Sequence, residues 1–74
     1  MKFDVELDAR GLTCPMPLLK LKQGLNKMEA GQVICVATTD PGSVRDFASF
    51  LNQVDSQLIE QTEVDNGYRF VIRK

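Results

Sequence analysis

The chain has 74 residues, nine basic and ten acidic side chains, two cysteines and no histidine. That length gives one domain, spanning 1–74, in which only roughly 60–65% of the unfolded chain's surface is buried. A formal net charge of −1 excludes a general attraction to nucleic acid or membrane surfaces. Two cysteines are too few for a disulfide framework or a self-contained metal site, and without histidine the usual near-neutral proton shuttle is missing.

Phe3-Asp4-Val5-Glu6-Leu7-Asp8 alternates strictly, so it reads as a half-buried strand with Phe3, Val5 and Leu7 inward and acids outward. Gly11 gives the following connection its backbone freedom. A helix is expected from Pro15 to Lys27 or Met28, because Leu18, Leu21, Leu25 and Met28 recur at three- and four-residue steps. Leu19 flanks that stripe, and Lys20, Lys22 and Lys27 take the wet side. Gly24 is costly inside a helix and suits a close approach to the sheet. Gln32 to Thr38 is the most apolar run and reads as a central strand.

Thr39-Asp40-Pro41-Gly42-Ser43 starts a second helix with two possible caps. One is Asp40 before Pro41, and the other is a capping box of Ser43 with Asp46. Val44, Phe47, Ala48, Leu51 and Val54 form its buried stripe, with Phe50 at the margin and the end near Gln53 or Val54. Gln57 to Val64 is a third strand. Asp65-Asn66-Gly67-Tyr68 signals a hairpin, since Asn-Gly suits a type I′ turn, and Tyr68, Phe70 and Ile72 alternate with Arg69, Val71 and Arg73 in the last strand. The order β-α-β-α-β-β predicts a two-layer α/β sandwich. Two helices cover one face of a four-stranded mixed sheet, and the other face stays largely open.

Thr13-Cys14-Pro15-Met16-Pro17 concentrates the chemistry. Proline is tolerated in the first helical turn, so Pro15 and Pro17 place Cys14 at a helix start. There unpaired N–H groups and the helix dipole favour a thiolate. Backbone N–H groups around Pro15 to Leu18 are expected to steady charge on the sulfur. Pro15 restricts Cys14, and Pro17 restricts Met16, so the sulfur points in few directions. Cys35, inside the apolar strand, reads as a small buried hydrophobe. Neither a triad nor a C-x-x-C redox cycle is available to Cys14.

The chain resembles the TusA/SirA-like family of small sulfur carriers over nearly its whole length. The anchor is Leu7-Asp8 followed by Gly11-Leu12-Thr13-Cys14-Pro15-Met16-Pro17, the family's Cys-Pro-x-Pro signature, and Thr39-Asp40-Pro41-Gly42-Ser43 with Asp46-Phe47 supports it. The resemblance implies a persulfide on Cys14. It implies a donor such as a cysteine desulfurase or another sulfurtransferase, and a downstream acceptor serving tRNA thiolation, molybdenum-cofactor work or sulfur oxidation. Leu51 and Asp55 stand where relatives similar to TusA itself often carry Cys and His, a difference that bears on the tRNA branch.

Cys14 is thus the expected catalytic residue, positioned by Gly11, Pro15, Met16 and Pro17. Arg10, Lys20, Lys22 and Asp40 are candidate partner contacts, the cations steering an acidic partner. No metal or organic cofactor is required by this chemistry. The alternative is an RNA-binding or regulatory adaptor using the open sheet face, with Arg69, Arg73 and Lys74 as its cations. The acidic first strand and the scarcity of free aromatics argue against direct nucleic-acid binding. A cytoplasmic location is expected. Small secreted domains usually carry several bridges, Asp4, Glu6 and Asp8 do not suit a signal peptide, and no apolar run approaches the roughly 20 residues that span a membrane.

Overall fold

The computed structural model describes residues 3–74. The chain runs β1 (Val5–Ala9), α1 (Met16–Asn26), β2 (Val33–Thr38), α2 (Gly42–Leu51), β3 (Gln57–Val64) and β4 (Gly67–Arg73). The sheet order is β1-β2-β4-β3, with β1 parallel to β2 and both other pairings antiparallel. This is the expected mixed four-stranded sheet. The central pair, β2 and β4, carries Ile34, Val36, Phe70 and Ile72 on the face that α1 and α2 cover. Leu21, Leu25 and Met28 of the first helical segment close over them, with Phe47 from α2. Phe47 meets Phe70 with ring centroids 4.6 Å apart in a tilted arrangement, which aromatic quadrupoles favour over a face-to-face stack. Gly24 faces β2 so closely that a Cβ there would lie 3.0 Å from Ile34 Cδ1. Its helix cost is offset by this approach.

Several local expectations are corrected. The first strand begins at Val5 and not at Phe3. Asp4 breaks the alternation by exchanging bonds with Val33: its N–H donates to the Val33 carbonyl at 2.9 Å, and its carboxylate accepts the Val33 N–H at 2.8 Å. Phe3 therefore leaves the helix side and packs against Arg69, with the guanidinium 5.2 Å from the ring centroid. In α2, Ala48 and Val54 are exposed, and Phe50 joins the core instead. The helix ends at Leu51, before Val54 can complete the stripe. Leu19 is likewise exposed.

The hairpin turn is shifted by one residue. Val64 pairs with Gly67, so Asp65-Asn66 forms the loop, with Asn66 at φ +62. Gly67 answers a different need: a Cβ there would sit 2.3 Å from the Thr38 carbonyl oxygen of β2. The imperfect alternation of the third strand has a cause too, a register shift between Leu58 and Glu60, as a bulge produces. The open sheet face is partly closed at its centre. Cys35 is 9% exposed and Val71 1%, and Arg69 lies across Cys35. At the far end of α1, the Lys74 ammonium donates to the carbonyls of Leu25 and Met28 at 2.5 and 2.6 Å. A cation is favoured there by the helix dipole, and Lys74 fills the role expected of Lys27.

Candidate functional site

Because β1 and β2 are parallel neighbours, their carboxyl ends lie at one edge of the sheet, where ligand sites of such units collect. Both loops leading to the helices therefore meet. Gly11, in the left-handed region at φ +82, turns its N–H to Thr39 Oγ1 at 2.8 Å. Asp40 works with both oxygens: Oδ2 accepts the Cys14 N–H at 2.7 Å, and Oδ1 accepts the Gly42 N–H at 3.2 Å. Asp40 thus caps the start of α2 and ties it to the cysteine loop.

The expected capping box does not form. Ser43 is buried, and its hydroxyl bonds to Thr38 Oγ1 and the Asp40 carbonyl, both at 2.7 Å. Asp46 is thereby free for another partner. Its Oδ2 accepts a hydrogen bond from Cys14 Sγ at 2.7 Å.

Cys14 is exposed at the head of α1. Pro15 occupies the cap position, and its bond to Cys14 is cis. Pro17 is buried in the first turn. The electrostatic expectation, however, is reversed. Among the described residues no backbone N–H of the helix start donates to the sulfur: Cys14 gives its own to Asp40, Met16 gives its own to the Thr13 carbonyl at 2.8 Å, and Pro15 and Pro17 have none. The hydrogen bond to Asp46 is the main reason the Cys14 thiol ionises above its ordinary range. Desolvation and the charges of Asp46 and Asp40 add to this, while Arg45 opposes it. At neutral pH Cys14 accordingly stands as a hydrogen-bonded thiol rather than a thiolate.

The remaining predicted residues divide. Met16, two residues after Cys14, and Leu19 are 42% and 43% exposed, and Lys20 is exposed on the same helix. Lys22 turns to α2, with its ammonium 5.3 Å from the Phe50 centroid. Arg10 is not a free steering charge. It grips Asp8 through two contacts of 2.8 and 3.0 Å, and that grip lowers the Asp8 carboxyl to about 2. A concavity of about 640 Å³ lies elsewhere, lined by Glu6, Asp8, Cys35 and Arg69 among others. Cys14 is outside it.

Asp46 is the residue that sequence reasoning missed. Its match beside Phe47 was visible, but a local capping pattern accounted for it. The long-range signal lies in topology: parallel β1 and β2 bring the first turn of α2 against the loop after β1.

Comparison with known proteins decides the family. The family described as Sulfurtransferase TusA matches residues 5–74. The chain belongs to the TusA family. It is 50% identical over 72 residues to the sulfur carrier protein TusA of Allochromatium vinosum, covering 97% of this chain and 95% of that one. It is 39% identical over 74 residues to a putative sulfur carrier protein, YrkI, of Bacillus subtilis, covering 100% and 99%. The crystal structure of a SirA-like protein from Desulfitobacterium hafniense superposes with a TM-score of 0.78 at 30% identity, covering 93% of each chain. The function is that of the TusA family: a sulfur carrier that transfers sulfane sulfur as a cysteine persulfide within a relay of partner proteins. No helix among the described residues is long and apolar enough to cross a membrane.

Proposed function

We propose that Cys14 is the sulfur-bearing residue, loaded by a cysteine desulfurase or another persulfide donor and discharged to an acceptor protein's thiol. The observation that carries this reading is the contrast in access: Cys14 is exposed on the rim, and Cys35 is buried in β2. In loading, Sγ attacks the terminal sulfur of the donor persulfide. The new S–S bond forms as the donor's S–S bond breaks, and the donor leaves as a thiol carrying the proton that Cys14 gave up. Discharge is the same exchange with the acceptor's thiolate attacking.

Met16 and Leu19 form the apolar part of the docking surface and Lys20 its charged edge. Both partners meet this surface in the cytoplasm. Direct nucleic-acid binding is not part of the reading, because Arg69 is engaged by Cys35 and Phe3, and Lys74 by the end of α1.

The test is incubation with a cysteine desulfurase and cysteine, followed by intact-mass and peptide analysis. One added sulfur atom on Cys14 is expected, absent in Cys14→Ala and retained in Cys35→Ala. Loading confined to Cys35, or no loading at all, overturns the assignment.

A further inference from the structure

We infer that Asp46 sets how tightly the carrier holds its cargo, favouring the empty state and so making loaded Cys14 a ready donor. The inference rests on the reading that Cys14 carries the sulfur. Asp46 Oδ2 lies 2.7 Å from Cys14 Sγ, a separation that a shared proton permits. In the empty carrier that proton is the thiol's own, and the bond is charge-assisted because the acceptor is a carboxylate.

Loading removes this arrangement. The exchange is Cys14–SH plus R–S–SH giving Cys14–S–SH plus R–SH, with no oxidant or reductant required. Afterwards Sγ sits between a carbon and a sulfur and has no proton to donate. Its contact with Oδ2 must open, since an acceptor facing an acceptor is unfavourable. The terminal sulfur of a persulfide is also more acidic than a thiol, so at neutral pH it carries negative charge. That charge faces Asp46 from the first turn of α2 and Asp40 from the preceding loop, and only Arg45 among the acting charges has the opposite sign. One state gains a hydrogen bond and the other gains repulsion. Both effects push the equilibrium toward the empty carrier and direct the terminal sulfur away from α2.

The exposed position of Cys14 makes the claim measurable without a protein partner. The carrier, with Cys35→Ser in every form so that one thiol reports, is equilibrated anaerobically at neutral pH with fixed ratios of glutathione persulfide to glutathione. The loaded fraction is read by intact mass. Asp46→Asn and Asp46→Ala are each expected to raise the equilibrium constant for loading about tenfold, the effect of losing one charge-assisted bond from the empty state. Both variants should also bring iodoacetamide alkylation of Cys14 to lower pH, a shift that a purely structural role for Asp46 does not produce. Loading with equal or smaller constants in both variants overturns this inference and leaves Cys14 as the carrier residue. Absence of loading in all three forms overturns the carrier residue itself, and this inference with it.

Discussion

The two cysteines sit in opposite surroundings. Cys14 is exposed beside a carboxylate, whereas Cys35 is almost covered and accepts a hydrogen bond from the Arg69 guanidinium at 3.2 Å. A cation accompanies the sulfur that solvent barely reaches, and an anion accompanies the one that faces outward. Charge and access therefore run in opposite directions at the two thiols of this fold. An exposed thiol held protonated resists adventitious oxidation, because the thiolate is the reactive form, and it still meets a partner that presents a persulfide.

The sharpest way to break this contrast is to label both thiols. In the native protein Cys14 should react with iodoacetamide faster than Cys35, because Cys35 is almost covered and the Arg69 guanidinium lies across its sulfur. Comparable rates, followed by peptide mapping, would remove the distinction. Phe47→Ala comes next. It empties a fully buried site packed against Phe70 and should cost about 3–5 kcal/mol. Denaturant melts check that cost.

The third prediction concerns pH. The folded Cys14 thiol ionises above its unfolded counterpart, so its contribution to stability is complete below the unfolded thiol's range and is lost as pH rises through the folded value. Melting temperature should therefore fall more steeply on the alkaline side for the native chain than for Asp46→Asn. The smallest effect is expected from Arg69→Gln, which removes one donor over Cys35 and should raise its labelling about two- to fivefold. A larger rise would show that Arg69 is the main cover.

The element order and the identity of the exposed thiol were legible because each rests on local pattern. Period-two alternation in β4, the three- and four-residue steps of Leu21, Leu25 and Met28, and the prolines after Cys14 need no distant information. The failures that matter for the site are contacts across the sequence. Phe3 leaves the helix face because Asp4 engages Val33, Ser43 abandons a capping box because Thr38 lies beneath it, and Asp46 finds Cys14 across 32 positions. The polarity at Cys14 was misjudged for the same reason. A helix start taken in isolation favours the thiolate, and the acids that reverse this are Asp46 in α2 and Asp40 in the loop before it.

Asp40 binds the amides of Cys14 and Gly42 with its two oxygens, so the reactive loop has its shape only when the second crossover is folded against it. A synthetic peptide spanning the Cys-Pro-x-Pro segment therefore lacks the pose of the sulfur even though it holds every atom of the motif. Transplanting the activity into another scaffold requires both loops and the parallel strand pair beneath them, moved as one unit.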